Sequence, residues 1–129
     1  MEPAHTIILL DSCILIDLLH GRKETVAQIR ELSLRGFSLV TSAVCVAEIY
    51  AGMRKGEEKD TETLLSTFHN LPLTGPIARK AGEITNSRRQ IGRTHNLNDM
   101  MIAATAIKNG CAVLTQNRKD FDISEIELL

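Results

Sequence analysis

The sequence contains little aromatic surface: no tryptophan, one tyrosine and three phenylalanines among 129 residues. Aromatic side chains form the stacking platforms on which many proteins hold unpaired bases. Extensive base stacking is therefore not expected, and any contact with nucleic acid would depend on phosphates and on shape.

Long hydrophobic runs are also missing, since none approaches the ~18 residues that a membrane span needs. The N-terminus lacks the basic, apolar and cleavable order of a secretory signal, so a cytoplasmic location is predicted. The three cysteines, Cys13, Cys45 and Cys111, are far apart and each lies in an apolar run. This pattern predicts buried free thiols, not a disulfide or a zinc site.

The composition is that of one ordinary globular domain, with 43% hydrophobic and 24% charged residues. No repeat, low-complexity tract or Pro/Gly linker divides the chain, so a single domain over residues 1–129 is predicted. The net charge of -1 gives no indication of a nucleic-acid partner. Charge is uneven, however, because one segment carries five cations against Glu83 alone: Arg79, Lys80, Arg88, Arg89 and Arg93. Solvated helix faces explain this strip, and so does contact with phosphates, for which Arg88, Arg89 and Arg93 are candidates.

Short apolar segments alternate with helical periodicity along the chain. Strands are predicted over residues 7–10, 37–40 and 111–115, with candidates at 71–73 and 126–129. Helices are predicted over residues 14–19, 24–35, 43–53, 60–68, 75–91 and 98–109, several of them ending at a glycine. The pattern predicts an α/β fold in which helices cover both faces of a parallel sheet of four to five strands. Such sheets place their sites at the carboxyl ends of the strands.

Two acidic residues have positions that suggest more than solvation. Asp11 directly follows the first predicted strand, where capping of the next helix is an equal alternative. Glu48 shares a helical stripe with small apolar residues, and a glutamate is rarely buried without a partner. A structural pairing of Glu48 with an arginine is the alternative.

Later acidic and amide side chains add to this set. Asp99 lies in the first turn of a helix, where the helix dipole alone would favour it. Its face continues through Ala103 and Ala106, so its side chain is expected to point toward the middle of the protein. Asn117 and Asp120 follow the strand at 111–115, where turn formation is the alternative explanation.

Carboxylates that converge at one sheet edge repel each other unless a cation lies between them. Mg²⁺ and Mn²⁺ prefer oxygen ligands, and such ions can activate a water for attack on a phosphodiester. The absence of a Cys/His cluster in the sequence argues against zinc. His95 is a further candidate for a phosphate contact.

Four segments resemble, in order, the motifs of PIN-domain toxins of the VapC type. The first is Leu10-Asp11-Ser12 with residues 14–19, and the second is Thr41-Ser42 with residues 47–52. The third covers residues 98–106, and the last runs from Leu114-Thr115 through Asn117 to Asp120-Phe121. Each motif is weak singly, but the four in order cover nearly the whole chain.

The resemblance implies a PIN-like fold and Mg²⁺- or Mn²⁺-dependent endoribonuclease activity that inhibits translation. Asp11, Glu48 and Asp99 match the acidic triad, which would bind the metal. The fourth position varies in the family and corresponds here to Asn117, with Asp120 nearby. Ser12 matches a hydroxyl that could orient the first aspartate or a water, and Cys13 stands where a polar residue is usual. Transfer RNA is the expected substrate, with ribosomal or messenger RNA as alternatives.

The resemblance also implies two protein partners. Relatives form homodimers, and a VapB-like antitoxin covers the active-site groove, often with an arginine among the acids. Helices near residues 57–68 and 14–19 are candidates for that groove.

The sequence offers three other interpretations. A phosphoacceptor domain would need paired acids near the first strand, and a haloacid-dehalogenase-type phosphatase would need Asp-x-Asp where the chain has Asp11-Ser12-Cys13. A PIN-like module that only binds RNA or protein is the more serious alternative. Retention of Asp11, Glu48 and Asp99 argues against it, because a binding module has little use for mutually repelling acids.

Overall fold

The computed structural model of the protein describes residues 5–129, in which four strands alternate with six helices. The strands are β1 (Ile7–Leu10), β2 (Ser38–Ser42), β3 (His69–Leu71) and β4 (Cys111–Leu114). The helices are α1 (Ser12–Leu19), α2 (Lys23–Leu34), α3 (Ala43–Ala51), α4 (Glu58–Ser66), α5 (Gly75–Gln90) and α6 (Leu97–Asn109). A 3₁₀ turn follows β4 at Arg118–Phe121.

The strands form one parallel sheet in the order β3-β2-β1-β4. Three consecutive residues of central strand β1, Ile8, Leu9 and Leu10, are fully buried. Because successive side chains of a strand point to opposite faces, both faces of the sheet are covered. The predicted α/β architecture, with helices on both sides of a parallel sheet, is confirmed.

Most predicted elements, including an edge strand that contains Leu71, are found within a few residues of their predicted bounds, but the strand predicted at 126–129 is wrong. The edge strand is His69–Leu71, not residues 71–73, and Pro72 lies just beyond it because proline has no N–H for the ladder. The segment at 126–129 forms no strand. It makes one isolated bridge, between Leu128 and Val113.

Three capping interactions place the helix starts at the carboxyl edge of the sheet. Asp11 caps α1, accepting a bond of 2.8 Å from the N–H of Ser12. Ser42 caps α3 through the N–H of Cys45, and Asn96 caps α6. The starts of α1 and α3 are thereby joined directly to the ends of β1 and β2.

The cysteines are free, as predicted. Cys45 and Cys111 are buried, whereas Cys13 is partly exposed. Across residues 5–129, no helix combines the length and apolar character needed to cross a bilayer.

Candidate functional site

Two of the predicted acids meet where β1 and β2 end. Ligand atoms of Asp11, Glu48 and Cys45 all lie within 4.8 Å of one another. Asp11 reaches this point as the residue after β1, and Glu48 as a residue of α3, which starts directly after β2. Residues separated by more than thirty positions in the chain are brought together because both strands are parallel and end at the same edge.

Asp11 is 3% exposed, and both of its carboxylate oxygens accept hydrogen bonds. Besides the Ser12 N–H on Oδ1, the Thr115 hydroxyl donates to Oδ2 at 2.7 Å. The thiols of Cys13 and Cys45 lie at 3.7 Å and 4.0 Å from the two oxygens. These neutral donors orient the carboxylate without neutralising its charge.

Glu48 is linked to Asp11 through one serine. The Ser12 hydroxyl donates to Glu48 Oε1 at 3.1 Å, while the Ser12 N–H is bonded to Asp11. Burial raises the pKa of Glu48, the Ser12 hydrogen bond lowers it, and the charge of Asp11 raises it further. Ser12 therefore contacts both acids, a larger role than orienting the first aspartate alone.

Asp99 lies in the first turn of α6, where the negative charges of the other acids act on it. Burial, together with the charges of Asp120, Asp11 and Glu48, raises its pKa from 3.8 to about 6. Within residues 5–129, no lysine, arginine or histidine forms an ion pair with Asp11, Glu48 or Asp99. The alternative of a Glu48–arginine pair therefore has no support in the structure. We call Asp11, Glu48, Asp99 and Asp120 the acid cluster.

The two candidates for a fourth position lie differently. Asp120, in the 3₁₀ turn, is near enough for its charge to act on Asp99. The backbone N–H of Asn117 donates to the Thr115 hydroxyl at 3.0 Å, and the Asn117 side chain is exposed. Asn117 thus supports Thr115 through its main chain, whereas Asp120 contributes charge to the cluster.

Cys45 and Thr115 were not among the predicted site residues. Cys45 precedes Glu48 by three positions on one helix face, and Thr115 is the first residue after buried strand β4, so spacing and strand ends were the available signals. Burial raises the pKa of the Cys45 thiol to about 11, so without a metal the sulfur stays protonated at neutral pH. The charged donors of the site are carboxylate oxygens, which suit a hard divalent cation.

Another aspartate of the first motif lies outside the cluster. Asp17 accepts a hydrogen bond from Thr25 at 2.9 Å, pairs with Arg22 at 3.2 Å and is also bonded by the side chain of Gln116. With all these partners it joins α1 to α2 and to the chain after β4, which is a structural role.

The basic strip is partly occupied by intramolecular partners. Arg88 bonds to His95 and to the main chain of Asp122, and Arg93 pairs with the Asp122 carboxylate at 3.3 Å. Arg89 has a hydrogen bond to Asn86 of its own helix and is otherwise exposed. Of the three predicted phosphate contacts, Arg89 is thus the least engaged.

A groove of about 370 Å³ opens beside Glu48 between α3 and α6. Asn98, the residue before Asp99, is a polar residue of its wall. Small and apolar side chains form most of the wall: Ala43, Val44, Ala47, Ala51, Leu73 and Met101. Glu48 of the acid cluster is therefore reached from this groove.

Comparison with known proteins gives matches over most of the chain. A family model described as PIN domain matches residues 8–126. Ribonuclease VapC10 of Mycobacterium tuberculosis is 38% identical over 90 residues, which are 67% of this chain and 65% of that protein. The match thus spans less than two thirds of that relative's length. Ribonuclease VapC19 of the same organism is 31% identical over 113 residues, which are 88% of this chain and 90% of that protein. A solved toxin-antitoxin complex from Klebsiella pneumoniae contains a chain that superposes with a TM-score of 0.71 at 27% identity, covering 93% of this chain and 98% of that one.

Proposed function

The chain belongs to the PIN-domain family, and on that premise we propose that it is a divalent-metal-dependent endoribonuclease, the toxin of a VapBC-type toxin–antitoxin pair. The observation that carries the proposal is the acid cluster, in which Asp11, Glu48 and Asp99 interact without a cationic side chain to neutralise them. The relatives VapC10 and VapC19 are named as ribonucleases. A module that only binds RNA would have no use for this repulsion.

Each residue of the site has a distinct task in this mechanism. Asp11, Glu48 and Asp99 would hold Mg²⁺ or Mn²⁺ through carboxylate oxygens. When bound, the metal lowers the pKa of a coordinated water and stabilises the oxygen that leaves from phosphorus. Ser12 keeps Asp11 and Glu48 at a constant separation, because its N–H and hydroxyl bond to one carboxylate each. Asp120 is the side chain that can accept a proton from an attacking water or bind a second ion, and Asn117 supports Thr115.

The substrate we propose is RNA, with transfer RNA first and ribosomal or messenger RNA as alternatives. The groove beside Glu48 would give the phosphodiester backbone access to that acid, and Arg89 is available for a phosphate contact. With three phenylalanines and one tyrosine in the chain, recognition would rest on phosphates and on RNA shape. Cleavage of such an RNA would stop translation.

We also propose a homodimer and a VapB-like antitoxin as partners. The similar chain from Klebsiella pneumoniae comes from a toxin-antitoxin complex. An anionic cluster attracts a guanidinium group bidentately, so an antitoxin arginine would displace the metal from these carboxylates.

The direct test is cleavage of a structured RNA by the purified protein. We expect cleavage with Mg²⁺ or Mn²⁺, none with a chelator, and recovery when the metal is returned in excess. Metal should also raise the melting temperature, since an ion that binds only the folded state stabilises it. Equal cleavage with and without chelator would contradict the proposal. Mapping the cut ends in total RNA would identify the substrate.

Thr115 provides a second prediction. Thr115→Val removes the hydroxyl that donates to Asp11 while keeping the side-chain shape, and it also removes the acceptor of the Asn117 N–H. We expect a loss of about 10- to 100-fold in metal affinity, the usual effect of losing a residue that orients a ligand. Calorimetric titration with Mn²⁺ measures it. Thr115→Ser keeps the hydroxyl and is the matched control, so equal affinities of the valine and serine variants would remove Thr115 from this role.

A further inference from the structure

Four residues at the C-terminal end of α5 and beyond it form a hydrogen-bonded group. Arg88 donates from Nε to His95 Nε2 at 3.1 Å and from Nη2 to the main-chain oxygen of Asp122 at 2.6 Å. Arg93 pairs with the carboxylate of the same Asp122. The group ties three separate pieces of chain together: the end of α5, the loop before α6 and the residue that follows the 3₁₀ turn. We call Arg88, Arg93, His95 and Asp122 the Arg88 cluster.

The 3₁₀ turn carries Asp120 and packs against α6, the helix that carries Asp99. Phe121 anchors one side of the turn, since its ring is 1% exposed in the core. Asp122 comes next, and its carbonyl oxygen is held by Arg88. Asp120 is therefore followed directly by Phe121, which is held in the core, and then by Asp122, which is held by Arg88. These two anchors fix the path of the chain on which the exposed Asp120 side chain is placed.

We propose that Arg88 is a positioning residue, whose two directed hydrogen bonds hold the chain after the 3₁₀ turn and thereby keep Asp120 at the acid cluster. This assignment replaces the predicted contact of Arg88 with RNA. It rests on the proposed function only where activity is concerned, because the positioning itself can be measured in the protein without metal or RNA.

The chemistry of the guanidinium group supports positioning over phosphate binding. Arg88 uses Nε and Nη2 for partners in two different segments, a fork geometry that a lysine ammonium cannot reproduce. A phosphate contact, by contrast, depends mainly on charge, which lysine retains. Arg88→Lys thus separates the two roles, and its neighbour Arg89, which bonds to Asn86 of its own helix, provides the comparison.

The first measurement is amide hydrogen exchange of the metal-free protein. The N–H groups of Asn117, Asp120 and Ile123 are hydrogen-bonded within the segment and report on it. We expect Arg88→Lys to speed their exchange by about tenfold while amides of β1 and α6 keep their rates, the pattern of local opening. Asp122→Asn should have a smaller effect, because it keeps the carbonyl that Arg88 binds and removes only an exposed ion pair. Arg89→Ala should leave these three rates as in the parent.

The second measurement is steady-state cleavage with RNA-binding titrations at several salt concentrations. We expect Arg88→Lys to lower kcat by about tenfold with KM and the salt dependence of binding unchanged, as for other residues that orient an active-site group. Arg89→Ala should instead weaken binding and reduce its salt dependence.

Two results would overturn the assignment. One is parental exchange rates in Arg88→Lys, and the other is a parental kcat together with weaker, less salt-dependent RNA binding in Arg88→Ala. If the parent protein cut no RNA with either metal, the proposed function would fail, and the exchange rates would still decide the positioning role.

Discussion

Asp11→Asn is expected to reduce RNA cleavage by about a thousandfold while leaving the fold intact. Removal of one negative oxygen ligand takes away several kcal/mol of the stabilisation that a bound metal gives the transition state, and each 1.36 kcal/mol is a factor of about ten in rate. The fold should persist because Asn is as good an N-cap as Asp. Its amide oxygen can accept the Ser12 N–H, and its amide nitrogen can donate to the Thr115 hydroxyl, which accepts as readily as it donates.

The measurement is single-turnover cleavage at saturating Mn²⁺, together with circular dichroism and a thermal melt. Asp60→Asn is the matched control, since Asp60 is an exposed acid in the first turn of α4 and is not a member of the acid cluster. We expect this control to cut at the parental rate. An Asp11→Asn protein that is folded and cuts RNA as fast as the parent would disprove the role of Asp11.

Asp99→Asn is expected to change activity and stability in opposite directions. Cleavage should fall at least about a hundredfold, because one of three proposed metal ligands loses its charge. The metal-free protein should become more stable near pH 7, since Asn avoids the cost of burying the Asp99 charge and the repulsion of that charge by Asp120, Asp11 and Glu48. A side chain that destabilises the empty fold and is needed for metal binding is typical of a functional site and not of a structural one.

The sign and the pH range follow from the pKa of Asp99. That pKa is about 6 in the folded protein against 3.8 ordinarily, so between these values the folded state holds a proton that the unfolded chain has released. The contribution of Asp99 to the stability of the metal-free parent therefore falls as pH rises from about 4 to 6, and this penalty is fully present above pH 6. Because Asp99 is partly exposed, solvent screening reduces the penalty to about 1 kcal/mol.

Denaturant unfolding at pH 4 and pH 7, without metal, measures this effect. We expect Asp99→Asn to gain about 1 kcal/mol at pH 7, or about 3–5 °C in Tm, and almost nothing at pH 4. Added Mn²⁺ should stabilise the parent more than the variant. A variant that is less stable than the parent at pH 7 would show that Asp99 has a favourable structural interaction, such as the helix-dipole contact considered from the sequence.

The predictions from sequence succeeded where a local signal was strong. The continuous apolar run Ile7–Leu10, followed by Asp11, specifies a strand buried on both faces and the point where it leaves the core. Gly110, with a φ of 65°, ends α6 as the sequence predicts, because glycine adopts this backbone conformation without strain. The strand predicted at 126–129 does not form. A short apolar run does not reveal whether the segment can pair with the edge of the sheet, here β4, along its whole length.

In the candidate site too, local signals predict some features, and contacts between distant segments decide the others. Strand ends, helix faces and the order of four motifs predict Asp11, Glu48 and Asp99 as metal ligands, and that role stays a prediction. The bonds that Ser12 and Thr115 make to the acids could not be predicted, because they join residues 36 and 104 positions apart in the chain. Arg88 is the clearest example of a role that the sequence alone could not predict. In the sequence it is one cation in a basic strip, and in the fold it is bonded to two other segments.

The amino-acid sequence alone therefore determined the class of fold, the order of its elements and the acids that could hold a metal, since strand hydrophobicity, helix capping and charge are properties of short segments. The tertiary structure decided how far those acids are desolvated, which neutral donors hold them and which arginines are already engaged. Such properties depend on distances between segments remote in the chain, and these distances are set only when the parallel strands pair and the helices pack on the sheet.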